Sequence, residues 1–233
     1  MGAFVSKHFY EGKLENGLEE DKFDNRLKDL ERKAFAWFDI SNKYEEKGDK
    51  SKYRKKEAEE IAKFIYRNID SEEAKGKNFG IITFYSSQRD EIIKELANEK
   101  NKAYEGQDLI VIRENNSYRI NDKYKYSTEK GISEKIRIGS VDAFQGMEFN
   151  FVCLSMVRSN KFLLDENNIR RKFGFLTNRN RLCVAMSRQK ELLVVFGDSK
   201  MLEGEKYTDI EVLQEYLKMC KEDGEYGKFE SIL

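Results

Sequence analysis

An α/β fold, with a mainly parallel sheet and helices on both faces, is what this 233-residue sequence predicts. Three observations carry that expectation. Short apolar runs of strand length, such as NFGIITFY (78–85) and ELLVVFGD (191–198), recur along the chain. Amphipathic stretches with helical spacing lie between them. Polar residues gather just after the strand-like runs, in YSSQ, DAFQGME and VRSN, where the loops of a parallel sheet carry function.

The elements follow in order. The opening MGAFVSKHFYEGKLENG alternates apolar and polar residues without a helix start signal. Residues 20–33 are charged and read as a loop or a short helix, and AFAWFDI (34–40) reads as a buried strand. The lysine-rich stretch 41–56 reads as a solvated loop. Ala58, Ile61, Ala62 and Ile65 then recur at spacings of three and four, the stripe of an amphipathic helix. The strand at 78–85 ends in a polar turn, SSQRDE, and Ile92, Ile93 and Leu96 mark the next helix. Residues 101–135 are irregular and read as an insertion. Within them DLIVIRE alternates as a strand and NNSYRINDKYKYS is its hairpin partner. KIRIGSV, FVCLSMV and ELLVVFGD are three further strands, and 177–189, with helical spacing at Leu182, Ala185 and Met186, lies between the last two. DIEVLQEYLKMC is an amphipathic helix, and 223–233 read as a loose tail. Residues 1–233 together read as one domain.

Composition narrows the function. Lys+Arg and Asp+Glu stand at 43 each, so any basic binding surface has to be local. No apolar run approaches the length of a membrane span. Cys153, Cys183 and Cys220 are far apart, without zinc-ligand spacing, and read as small hydrophobes in a reducing cytosol. A single histidine, His8, argues against a histidine-based metal or triad site. The chain has no proline, so its turns rest on Gly, Asn, Asp and Ser.

Three stretches could carry chemistry. In VDAFQGME, Gly146 permits a tight turn, Asp142 suits a cap, and Gln145 and Glu148 offer hydrogen bonds at strand-end level; a capped turn between strands explains the same residues. In LTNRNRLCVAMSRQK, Arg181 and Arg188 are seven apart and share a helix face, suited either to phosphate or to plain solvation. In FGIITFYSSQRDEI, a Tyr-Ser-Ser-Gln turn ahead of a helix could meet a phosphate, or Tyr85 could be a half-buried aromatic. No G-x-x-x-x-G-K-[ST] occurs, and no acidic pair after a strand looks able to hold magnesium.

Taken in order, these segments resemble the second RecA-like domain of superfamily 1B helicases, the branch containing the nonsense-mediated-decay and immunoglobulin-mu-binding helicases. FVSKHFYEGKLENG resembles S-x-x-F-Y-x-G-x-L, and SKYRKKEA resembles S-x-x-N-x-x-E-A with Arg54 in place of Asn. GIITFYSSQRDEI resembles I-I-T-P-Y-x-x-Q with Phe84 in place of Pro. SVDAFQGMEFNFVCLSMVRSN and GFLTNRNRLCVAMSRQKELLVVFGD resemble motifs V and VI. The likeness covers most of 4–200 and misses roughly 100–135.

The resemblance implies a RecA-like P-loop-NTPase-type domain without its own P-loop. It implies that Gln145, Gly146 and Glu148 face the nucleotide, that Arg188 is an arginine finger and that Arg181 supports the cleft. Thr83, Tyr85 and Gln88, with Ser140, Val141 and Asp142, would track a single strand of DNA or RNA. Arg158 would help order the cleft, or be structural. ATP and Mg²⁺ would be bound mainly by an N-terminal RecA-like domain outside this sequence, so this chain alone is expected to be inactive. A stand-alone interaction module on the same fold is the alternative.

Overall fold

Side chains alternate along each apolar run, and this alternation sets the architecture, because a strand sends successive residues to opposite faces. The computed structural model describes residues 1–15, 25–126, 134–163, 168–204 and 206–232. The chain runs through α1 (Gly2–Phe9), β1 (Phe35–Asp39), a ribbon of β2 (Glu46–Lys47) and β3 (Lys52–Tyr53), α2 (Lys55–Asn68), β4 (Phe79–Thr83) and α3 (Ser86–Leu96). It continues with a hairpin of β5 (Val111–Glu114) and β6 (Ser117–Ile120), then α4 (Asp122–Lys125), β7 (Ile136–Ser140), β8 (Phe149–Ser155) and α5 (Ile169–Phe173). It ends with α6 (Arg179–Met186), β9 (Gln189–Gly197), α7 (Glu211–Glu222) and β10 (Gly227–Ser231).

Six strands form one sheet in the order β10-β1-β9-β8-β4-β7, parallel throughout. The expected α/β class holds, and the helix-covered parallel sheet is that of a RecA-like domain. Phe35 and Trp37 of β1, Val152 and Leu154 of β8, and Leu193 and Val195 of β9 enter a core closed by α1, α6 and α7. Their neighbours Ala36, Phe151, Cys153, Leu192, Val194 and Phe196 enter a second core under α2 and α3. Trp37 and Tyr216 are fully buried, and each finds a carbonyl for its polar tip: the Trp37 indole donates to Gly197 at 3.3 Å and the Tyr216 hydroxyl to Leu193 at 2.8 Å.

Several local expectations change. The opening segment is helix α1, with no side-chain cap. Tertiary contacts support it, since Phe4 and Val5 enter the core and Lys7 pairs with Glu215 at 2.8 Å. SSQRDE is the first part of α3 rather than a turn. The tail from 223 carries β10, an edge strand in register with β1. Part of 20–33 lies outside the described residues; Asn25 fixes the rest, bonding the Leu30 and Lys33 carbonyls at 2.7 and 2.8 Å. The expected hairpin forms across Asn115 and Asn116, both at positive φ (46° and 63°), the backbone that twisted two-residue hairpins need. Ile110, Val111 and Tyr124 anchor the insertion in the second core.

Candidate functional site

Thr83, Ser140 and Ser155 close β4, β7 and β8 in register at the carboxyl edge of the sheet. From Ser140 the chain must pass over β4 and reach the amino end of β8 using only residues 141–148. It lies flat on the sheet as a 3-10 turn, Val141–Phe144, followed by Gln145 to Glu148. Gly80 of β4 makes room, because a β-carbon there would stand 3.0 Å from Phe149 and 3.1 Å from Phe144. Gln145, Gly146 and Glu148 therefore stand at the amino edge of the sheet, not at strand-end level with Ser140. The length of β8 puts these edges about 20 Å apart.

Helix α6 runs beside this crossing segment in the same direction, and two arginines tie them. Arg181 meets Asp142 at 3.0 Å near the carboxyl edge. Arg188 donates to the Met147 carbonyl at 3.1 Å near the amino edge. The Arg188 guanidinium also bonds the Val184 carbonyl (3.1 Å) and the Ser187 hydroxyl (2.7 Å), and its own carbonyl accepts from Phe149 at 2.9 Å. It meets no carboxylate among the described residues. Gln145, Gly146 (φ 77°) and Glu148 are exposed at the same edge, with Glu148 3.5 Å from Lys190. Four of the five residues expected at the nucleotide thus share one edge, while Arg181 belongs to the other, its guanidinium 4.9 Å from the Phe175 ring.

The residues expected to track a strand divide differently. Thr83, Gln88 and Val141 are buried. The Gln88 amide is spent on the Arg54 backbone, accepting its N–H at 2.7 Å and donating to its carbonyl at 3.3 Å. Tyr85 is buried too, and its hydroxyl accepts the Phe175 N–H at 3.2 Å. Burial pushes the Tyr85 phenol up from its usual range, against the pull of Arg158. Ser140 is half-buried and Asp142 exposed.

Stretch 41–56, expected to be a solvated loop, contains buried charge. Arg54 is fully buried, paired with Glu57 at 2.9 Å and bonded to the Lys43 and Ile40 carbonyls. Glu57 also accepts from the Ser155 hydroxyl at 2.5 Å and the Val157 N–H at 3.0 Å, tying α2 to the end of β8. Burial pushes the Glu57 carboxyl up, opposed by Arg54 and the other donors. Glu45 meets Arg158 at 3.0 Å and Lys52 at 2.9 Å, and accepts the Ser159 N–H at 2.8 Å. Arg158 in turn bonds the Arg171 and Lys172 carbonyls. Sequence reading missed Glu45 and Glu57, because Arg158, Ser155 and Val157, which they hold, lie far along the chain, and the nearby Lys52 and Arg54 give no sign of the burial.

Beside this network, at the carboxyl edge, lies a cavity of about 700 Å³ lined by Lys52, Tyr85, Arg158, Arg170, Phe175 and Arg179 among others. The end of α1 packs on α6 nearby: Arg179 donates to the His8 carbonyl and the Tyr10 hydroxyl lies 3.6 Å from Cys183 Sγ. Among the described residues no three His, Cys, Asp or Glu side chains cluster as metal ligands, and no helix is long and apolar enough to cross a membrane.

A family model described as an AAA domain matches residues 1–200. The chain is 30% identical over 207 residues to a regulator of nonsense transcripts 1 homolog of Neurospora crassa, covering 87% of this chain and 16% of that protein. It is 26% identical over 212 residues to the ATP-dependent helicase upf1 of Schizosaccharomyces pombe, covering 87% of this chain and 19% of that protein. A 67-residue stretch, 29% of this chain and 5% of the relative, is 42% identical to the human RNA helicase Mov10l1. The chain thus spans under a fifth of the length of these curated relatives.

Proposed function

The chain belongs to the AAA domain family as a superfamily 1 helicase-like domain, and from that premise we propose that it is the C-terminal motor domain of an ATP-dependent nucleic-acid helicase. The observation that carries this reading is the state of Arg188. Its guanidinium is held by two carbonyls and a hydroxyl, with no carboxylate partner among the described residues. It therefore keeps its full charge in a fixed pose beside the exposed turn at Gly146, which suits an incoming phosphoryl group.

The residues present fit the phosphate end of a nucleotide triphosphate and not its metal. Arg188 would stabilise charge on the transferring phosphoryl group, while Gln145 and Glu148 offer exposed hydrogen-bonding groups at the same edge. A P-loop and magnesium ligands would come from an N-terminal RecA-like domain of the same protein, as a bound MgATP requires. At the carboxyl edge a single strand of DNA or RNA would lie, with Thr83 and Gln88 holding the loop behind it. ATP-driven closure of two domains would then shift their grips along the strand.

ATP turnover by this chain, alone and with the upstream domain added, tests the reading, with and without a single-stranded oligonucleotide. Turnover only after the domain is added, stimulated by the oligonucleotide, is expected. Undiminished turnover by the isolated chain would remove the division of labour.

A further inference from the structure

Phe149 and Phe151 lie two residues apart in β8, yet they enter opposite cores. A regular strand would send both to one face. The break is a register shift against β9: Phe149 pairs with Gln189 and Phe151 with Leu192, so two steps on β8 span three on β9. Such irregularities disrupt the ladder locally and recur beside active sites, where they re-aim a side chain. Asn150 sits at the shift, and its side chain is used at both ends. It exchanges bonds with Asn78, just ahead of β4: its oxygen accepts the Asn78 N–H at 3.1 Å, and its own N–H donates to the Asn78 side chain at 2.8 Å. The Asn150 amide nitrogen donates to one Glu191 oxygen at 2.6 Å, and the other oxygen takes Lys77. Asn78 is 8% exposed and the Glu191 side chain 12%, so these groups have left water to hold one register.

The shift lies directly behind Arg188. Two bonds join that arginine to the chain leading into Asn150: the Met147 carbonyl accepts from the guanidinium at 3.1 Å, and the Phe149 N–H donates to the Arg188 carbonyl at 2.9 Å. Ahead of these residues the crossing segment is fixed by its packing over Gly80, and behind them it is fixed by Asn150. Glu191, the acid nearest to Arg188 in sequence, is occupied by Asn150 and Lys77. We propose that Asn150, held by Asn78 and Glu191, is the positioning residue for Arg188. It fastens the register shift that delivers the Met147 carbonyl and the Phe149 N–H together, and so sets where the guanidinium stands at the nucleotide edge. The inference rests on the reading of Arg188 given above. Asn78, Asn150 and Glu191 act through the arginine and do not themselves meet the nucleotide. Small displacements matter for such a group, since a misplacement of about 1 Å at a reacting centre costs on the order of 10²-fold in rate.

Asn150→Asp tests this, because it keeps the acceptor for the Asn78 N–H and replaces the donor to Glu191 by a carboxylate oxygen. Adding Glu191→Gln restores that bond with its direction reversed. In this chain alone, the NMR cross peak of the Arg188 Nε–H, identified by its loss in Arg188→Lys, should move in Asn150→Asp and return toward its native position in Asn150→Asp/Glu191→Gln. With the upstream domain supplied, Asn150→Asp should lower kcat for ATP roughly 10- to 100-fold with KM nearly unchanged, and the double variant should recover most of the loss. In an Arg188→Ala background Asn150→Asp should cost nothing further, the mark of a residue that acts through the arginine. Glu191→Ala removes the same bond from the β9 side and decides the same questions if Asn150→Asp does not fold. An equal loss in both backgrounds, or a native cross peak with native turnover, overturns the positioning role and leaves the Arg188 reading standing. Turnover undiminished by Arg188→Ala overturns both.

Discussion

Glu57 and Val157, one hundred residues apart in sequence, are joined by a hydrogen bond of 3.0 Å from the Val157 N–H to the Glu57 carboxylate. Val157 has φ 67°, a left-handed backbone that a β-branched residue rarely adopts. Such a conformation costs on the order of 1–3 kcal/mol and persists only where its surroundings hold it. Here the Arg158 N–H closes a tight turn onto the Met156 carbonyl at 2.8 Å, and Glu57 fixes the centre of that turn. The turn aims Arg158 away from the sheet and under the basic loop 169–181.

Replacing Glu57 with Gln should expose how much rests on this one carboxylate. The amide keeps the shape but leaves Arg54, 1% exposed, as an uncompensated buried charge. Breaking a buried pair in this way costs about 3–5 kcal/mol. For a chain of this size that lowers the melting temperature by on the order of 10 °C. Thermal unfolding checks it, and a shift of a degree or two would show that Arg54 is served well enough by the Lys43 and Ile40 carbonyls.

Gly174→Ala should distort the basic loop, since the new methyl group meets the Tyr85 hydroxyl and the backbone has φ 58° and ψ −127°. Removing that hydroxyl relieves the overlap but not the backbone strain. The double variant Gly174→Ala/Tyr85→Phe should therefore recover part of the lost stability, so that the two changes are non-additive by about 1 kcal/mol. Strict additivity in a double-mutant cycle would mean the two groups do not press on each other.

How much of this was legible depended on whether a residue's role was local. The buried strands were readable because alternation places Phe35 and Trp37 on one face and Ala36 on the other, whatever lies above them. The stripe Ala58, Ile61, Ala62, Ile65 was readable for the same reason. Strand β10 was not, since GKFES has little apolar character and takes its conformation from pairing with β1. Arg54 and Glu45 read as solvated because a charge in a lysine-rich stretch normally is; Glu57, three residues from Arg54, does not announce its burial, and Arg158, which pairs with Glu45, lies across the fold. The residues proposed to face the nucleotide were singled out through the order of the motifs, but which edge of the sheet they occupy depends on a crossing segment packed over Gly80. The basic loop left a signal in its composition, five cations without an acid, masked by the zero total.

Acid should loosen the attachment of α1. His8 lies 2.9 Å from Glu215, and burial, joined by Lys7, holds its imidazole below the ordinary 6.5 despite the opposing pull of Glu215 and Glu211. The unfolded chain then takes up this proton more readily than the folded one. Stability is complete above about pH 6.5 and falls as pH drops through the lowered folded value. His8→Gln should flatten that fall. Melting temperatures of both proteins at about pH 7.5 and about pH 5.5 decide it; an equal acid loss in the variant assigns the effect elsewhere.

Arg188 gives the sharpest test of the nucleotide edge, because charge and geometry can be separated there. With the upstream domain supplied, Arg188→Ala should lower ATP turnover roughly 10³-fold or more and change ATP affinity far less, the pattern of a contact made chiefly in the transition state. Arg188→Lys keeps the charge but cannot fork. In the native pose three different nitrogens are spent on Val184, Met147 and Ser187, so the guanidinium is oriented by its plane as well as its charge. An ammonium on a flexible stem keeps at most part of that orientation, and turnover should stay well below the arginine level. If lysine restored full turnover, a point charge at this edge would suffice and the three-point hold on Arg188 would serve only to join α6 to the crossing segment. If alanine left turnover intact, the phosphoryl group would have to meet a different cation, and Lys190, exposed at the same edge beside Glu148, is the residue to replace next.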